Sequence, residues 1–178
     1  NPTGTIIMKD ELVSFLKKVP QNILVVVDGA YAEYVTDLRF SDGLNLTNQF
    51  PNLIITRTFS KIFALAGLRL GWAYSSEKII ETLEKIRGPF NVNIVAQSIG
   101  SLILKEDNFL KKSIKHNIVW KKKLSSFINL LGLKTYQTYA NFILIKIDET
   151  KFKKKTVIKK LTEKDIIIRD LENYGLPE

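Results

Sequence analysis

The chain has 178 residues, 45% apolar and 25% charged, a balance that excludes a disordered tract and is long enough to bury a sizeable core. The absence of cysteine rules out disulfides, thiolate metal sites and a cysteine nucleophile, and no apolar run reaches the roughly 18 residues that cross a bilayer. Of the 27 cations behind the net charge of +9, five are arginine (Arg39, Arg57, Arg69, Arg87, Arg169), so 27 − 5 = 22 are lysine. The lysines are spread along the chain, with short runs at 121–123 and 153–155, and read as solvated helix faces rather than a nucleic-acid footprint. No leader pattern is visible, and with no cysteine the expected location is the cytoplasm. Asn45-Leu46-Thr47 matches a glycosylation sequon and is taken as chance.

The chain opens on Asn1-Pro2-Thr3-Gly4, by itself a β-turn. Residues 9–19 predict a helix with Leu12, Phe15, Leu16 and Val19 on one face. Two short β-branched runs, 23–28 and 53–58, each end in a polar residue, as buried parallel strands do, and 67–75 predicts a third strand with alternation. Residues 76–87 predict a helix capped by Ser76, with Ile79, Ile80, Leu83 and Ile86 together. Residues 93–104 are apolar on most sides and predict a buried helix. A long amphipathic helix follows over 106–131, with Ile114, Ile118, Leu124, Phe127, Ile128 and Leu131 as its stripe. After Gly132 the pattern changes: strands with a bend over 133–148, a helix over 156–164 and a strand over 165–171. The expected architecture is therefore α/β, three layers around a mainly parallel sheet over residues 1–112, joined to a small α+β domain over 113–178, with the boundary inside the long helix.

Open α/β sheets bind ligands beyond the carboxyl ends of their strands, and polar groups stand there: Asp28, then Thr58 and Ser60, and Arg69 near the third strand. Alone, Asp28 reads as a turn or cap residue and Tyr31 as a packed rim tyrosine. Lys61 is less ordinary, because it follows two hydroxyls, lies among apolar residues and precedes Arg69 by eight positions. Desolvation and a nearby like charge disfavour an ammonium ion, leaving the partly neutral amine that a Schiff-base nucleophile needs. The same residues would equally cradle a phosphate without covalent chemistry, and a lone surface lysine could snorkel there with no role at all. Spacing does not separate these readings. His116, the sole histidine, has no partner four residues away and is not expected to bind a metal.

Six blocks taken in order resemble the fold-type-I pyridoxal-phosphate-dependent aminotransferases: "NPTG" at 1–4, "VVVDGAYAEY" at 25–34, "RTFSKIFALAGLRLGW" at 57–72, "GPFNVN" at 88–93, "ANFILIK" at 140–146 and "IIIRDLENYGLP" at 166–177. The "GPFNVN" block and the tail make the chain most similar to the histidinol-phosphate branch. The resemblance implies the cofactor pyridoxal 5'-phosphate, held covalently by Lys61, which would also move the substrate proton. It implies that Asp28 pairs with the pyridinium nitrogen and that Asn1 and Tyr31 bond the phenolic oxygen. Thr58, Ser60 and Arg69 would bind the phosphate, while Arg169 and Asn91 would face the substrate. The implied reaction is amino transfer between histidinol phosphate and 2-oxoglutarate in histidine biosynthesis, by a homodimer with small-molecule substrates and no nucleic-acid or membrane partner. Aromatic aminotransferases and a phosphothreonine decarboxylase share the cofactor residues; a non-catalytic basic module that binds nucleic acid is the reading outside the class. Two departures stand out. Gly29 occupies a place where many relatives have glutamate. The family also extends before "NPTG" and beyond "YGLP", so the chain is expected to be a fragment, with unpaired sheet edges and no activity by itself.

Overall fold

The computed structural model describes residues 1–148 and 150–176; Pro177, which closes the tail motif, lies outside the described residues. The chain falls into two compact units, Ile6–Asn117 and a second formed by Asn1–Thr5 with the chain from Ile118 on.

The first unit is built on a three-stranded sheet of β1 (Val25–Asp28), β2 (Leu53–Thr58) and β3 (Gly71–Tyr74), in that spatial order. β1 and β2 run parallel, with Val25 opposite Leu53 and Asp28 opposite Thr56. β2 and β3 run antiparallel, with Arg57 opposite Trp72. The sheet is thus mixed, with β2 central and most deeply buried. Its core comprises Leu53 and Ile55 of β2, Leu46 of the preceding loop, and Leu12 and Leu16 of α1 (Lys9–Lys18). The predicted apolar spacing of α1 therefore lands on the sheet, although Phe15 stays half exposed. The Glu11 carboxylate accepts the Met8 N–H at 2.8 Å, satisfying one donor ahead of the first turn.

The third strand is shorter than its pattern predicts. Residues Ala66–Leu68 form a 3-10 turn and Arg69 takes a left-handed conformation, φ 55°, so pairing starts only at Gly71. Gly71 is required there, since a Cβ would lie 2.8 Å from the Arg57 carbonyl oxygen. α2 (Glu77–Ile86) begins after Ser76 as expected, but the Ser76 hydroxyl donates to the Pro51 carbonyl at 2.9 Å rather than capping the helix. α3 (Ile94–Ile103) is capped by Asn93, whose Oδ1 accepts from the Ala96 N–H at 2.9 Å. The expectation that this helix is buried fails: only its Ala96–Gly100 stripe is covered, near Phe59 and Leu70, while Ile94, Val95 and Leu102 are exposed.

α4 (Asp107–Leu130) carries the division between the units at Asn117 and Ile118. Of its predicted stripe, Ile128 is buried whereas Ile118, Leu124 and Phe127 are exposed. In the second unit, β4 (Lys134–Thr135) and β5 (Ile145–Lys146) form a two-residue antiparallel pair. Asn129 Oδ1 anchors β4 to the end of α4 by accepting from both Thr135 N–H and Oγ1–H. The first residues join this unit through Gly4, whose carbonyl accepts the Tyr139 N–H at 2.8 Å; its φ of 80° and the Thr138 side chain leave no room for a Cβ. α5 (Lys154–Thr162) ends at Asp165, left-handed at φ 59°, with the Ile166 N–H bonded back to Leu161. The strand predicted over 165–171 does not form. Residues 166–171 are irregular and pair with no described strand.

Ile55 is fully buried, and Ile55→Ala is expected to cost about 2–5 kcal/mol, read as a lower urea midpoint at unchanged slope. Gly43→Ala should cost about 1 kcal/mol or more in the same measurement, since Gly43 has φ 84° and its Cβ would meet Ile55 Cδ1 at 2.7 Å.

Candidate functional site

Parallel pairing brings the carboxyl ends of β1 and β2 to one edge of the sheet, and the Gly29 N–H extends the ladder by donating to the Thr56 carbonyl at 2.9 Å. Asp28, at the end of β1, is exposed; its Oδ1 accepts the Ala30 N–H at 3.0 Å and turns the chain. The turn continues into a 3-10 turn, Ala32–Tyr34, with Tyr31 immediately before it. Lys61, half buried, holds its ammonium 5.3 Å from the centroid of the Tyr31 ring, within the range of a cation–π contact.

After β2, Thr58 Oγ1 accepts the Ser60 N–H at 3.0 Å and lies 3.5 Å from the Leu70 carbonyl. The left-handed backbone at Arg69 turns its guanidinium back, so that Nη1 donates to the Ala66 carbonyl at 2.8 Å and approaches Ser60 Oγ at 3.5 Å. The structure therefore gathers Thr58, Ser60 and Arg69 in one group and Lys61 and Tyr31 in another, both at the sheet edge where Asp28 ends β1. Asn91 is elsewhere: its Oδ1 accepts from Arg87 at 3.1 Å in the connection between α2 and α3. Asn1 and Arg169 belong to the second unit. There Arg169 is exposed in the irregular tail, next to Asp170, which accepts from Lys154 of α5 at 3.2 Å; Lys154 also lies 3.5 Å from Glu172.

The sequence pattern did not point to the ion cluster around Arg57. This arginine stands at the end of an otherwise apolar strand, with its side chain only 6% exposed. Nη1 donates to Glu33 Oε1 at 2.9 Å and Nη2 to Asp42 Oδ2 at 2.8 Å, and the guanidinium carbon lies 5.8 Å from the centre of the Trp72 ring. Glu33, Asp42, Arg57 and Trp72 line one wall of an open cavity of about 600 Å³. Burial raises the Glu33 carboxyl above its ordinary range; hydrogen bonding to its own backbone and the charge of Arg57 oppose that, and Asp42 adds to it. An arginine inside a β-branched run is a usable sequence signal, but its partners lie 24 and 15 residues away in loops. Among the described residues no group of three or more His, Cys, Asp or Glu could hold a metal ion, and no helix is long and apolar enough to cross a membrane.

A family model for aminotransferase class I and II matches residues 1–178. The histidinol-phosphate aminotransferase of Pelagibacter ubique is 41% identical over 173 residues, covering 97% of this chain and 48% of the relative. The chain spans about half the length of the curated relatives it matches. Among solved structures, the putative histidinol-phosphate aminotransferase of Erwinia carotovora atroseptica superposes with a TM-score of 0.87 at 28% identity, over 94% of this chain and 48% of that one. The Sinorhizobium meliloti histidinol-phosphate aminotransferase, solved in complex with pyridoxal-5'-phosphate, shares the fold with a TM-score of 0.86 at 24% identity, over 95% of this chain and 46% of that one.

The tail that carries Arg169 should be pH-sensitive. The Glu172 backbone N–H and the Lys154 ammonium hold the Asp170 carboxyl below its ordinary value of 3.8. A carboxyl with a depressed folded value contributes stability that is present above the ordinary value and is lost as pH falls through the folded one. The protection of the Glu172 amide, taken relative to its intrinsic exchange rate at each pH, is thus expected to hold at neutral pH and to be lost below 3.8, whereas Lys154→Met should reduce it at neutral pH.

Proposed function

The chain belongs to the class I and II aminotransferases, and on that premise we propose that the protein carrying it transfers the amino group between histidinol phosphate and 2-oxoglutarate, with pyridoxal 5'-phosphate as cofactor. The observation that carries this reading is the convergence at one sheet edge of a half-buried amine, a carboxylate and a hydroxyl–guanidinium group. The donor set fits the cofactor: Thr58, Ser60 and Arg69 suit a phosphate, Asp28 a ring nitrogen, and Lys61 an aldehyde carbon.

When bound, the cofactor supplies that aldehyde and an electron-accepting ring. The fork of Arg69 and the hydroxyls of Thr58 and Ser60 would hold the phosphate through charge-assisted hydrogen bonds. The Asp28 carboxylate would hold a proton at the ring nitrogen. The Tyr31 hydroxyl would donate to the phenolic oxygen, and its ring lies beside the Lys61 amine. Lys61 Nζ would hold the aldehyde carbon and would act as the base that moves the substrate Cα proton. Asn1 at the phenolic oxygen, and Arg169 and Asn91 toward the substrate, are assigned by motif position. Residues 1–112 are read as part of the large cofactor domain and 113–178 as part of the small domain. The reading carries with it a cytoplasmic homodimer that acts on small amino and keto acids, without nucleic acid.

In the protein that carries this chain, a visible absorption band from bound cofactor is expected, and Lys61→Ala should abolish it. The same substitution should lower turnover of histidinol phosphate by roughly a thousandfold or more. A faster reaction with aromatic amino acids, or release of carbon dioxide from phosphothreonine, would replace the substrate assignment while leaving the cofactor site intact.

A further inference from the structure

Arg57 cannot itself belong to the phosphate-side group, because successive side chains of a strand point to opposite faces and Thr58 follows it. Its stem instead runs against the turn after β1. A Cβ at Gly29 would lie 2.8 Å from Arg57 Cδ, 2.9 Å from Nε and 3.0 Å from the Thr56 carbonyl oxygen. Glycine at this place is what lets the arginine lie there. From that slot the guanidinium reaches Glu33, in the 3-10 turn just past Tyr31, and Asp42 in the following loop. Arg57 thus touches the chain on both sides of Tyr31, by packing at Gly29 and by an ion pair at Glu33. The turn between is also tied by hydrogen bonds from the Ala30 N–H to the Asp28 side chain, from the Ala32 N–H to the Gly29 carbonyl and from the Tyr34 N–H to the Tyr31 carbonyl.

We propose that Arg57, seated in the space left by Gly29 and clamped by Glu33 and Asp42, is a positioning residue that sets Tyr31 and Asp28 relative to Lys61. The proposal rests on the cofactor reading above and deepens it. The side chain is nearly excluded from solvent, so its two ion pairs are screened little and their directions are fixed. Losing the guanidinium leaves Glu33 and Asp42 as neighbouring like charges with nothing between them, which drives the Glu33 side of the turn outward. Filling the slot at Gly29 displaces the same arginine from the opposite side. Tyr31, whose ring lies 5.3 Å from the Lys61 ammonium, carries both changes toward the amine.

The test compares Arg57→Met and Gly29→Ala with Leu16→Ala, which weakens the core from α1, away from the cluster. Two readouts are taken: amide exchange at Ala32 and Tyr34 without cofactor, and the pH midpoint of the visible band with cofactor bound. Both cluster variants are expected to speed exchange by about tenfold or more at native conditions. They should also move the midpoint by about half a unit or more, because the phenol and carboxylate that set it are displaced. Leu16→Ala should lower the melting temperature and leave the midpoint in place. Should Arg57→Met fail to fold, Gly29→Ala decides. An unmoved midpoint in the cluster variants overturns the proposal, whatever their stability. Absence of any band in the unsubstituted protein overturns the cofactor reading instead; exchange at Ala32 and Tyr34 then decides the role of Arg57, normal exchange rejecting it and fast exchange upholding it.

Discussion

Parallel pairing of Val25–Asp28 with Leu53–Thr58 is the contact on which the candidate site depends. Two parallel strands end at the same edge, so a register that sets Asp28 opposite Thr56 also sets the turn after β1 beside the loop after β2. Burial enforces this register: Leu53 and Ile55 face the core with Leu12 and Leu16, and a slip of one residue would carry them to the other face of the sheet. The polar ends of β1 and β2 are thus placed by apolar residues of the core.

The antiparallel strand β3 adds a second constraint. Its short length results from the left-handed bend at Arg69, and that bend returns the guanidinium toward Ser60. A longer strand would have carried Arg69 along the sheet and away from the hydroxyls. The backbone conformation that ends the regular structure early is the one that brings the Arg69 guanidinium near the Ser60 hydroxyl.

Charge burial around Arg57 follows a different logic. Enclosing an arginine costs several kcal/mol of hydration, and one carboxylate would leave much of its fork unused. Two carboxylates, an aromatic face and a glycine slot satisfy most of the group, although Arg57 Nε and Glu33 Oε2 remain without hydrogen-bond partners. The result is a polar node that joins β2 to the turn after β1 and to the loop that carries Asp42. By contrast, the apolar faces of α3 and α4 are largely open, and β1 and β3 each pair on one side only among the described residues.

The sequence by itself determined the elements with strong periodicity and the polar residues at strand ends. α1, α2, α4 and the strands at 25–28 and 53–58 stand within a few residues of their patterns, and Asp28, Thr58, Ser60, Lys61 and Arg69 were legible as candidates because local spacing is enough to mark a polar strand end. Ordered motifs then pointed to the aminotransferases, which the family match upholds. Only the tertiary structure decided the rest. The run 165–171 has strand-like composition but forms no strand, since a strand exists by pairing and not by propensity. α3 is apolar yet mostly exposed, because burial depends on what packs against a helix. The Arg57 cluster was invisible for the same reason: an ion pair is a distance between groups far apart in the chain, and composition records the charges without saying which of them meet.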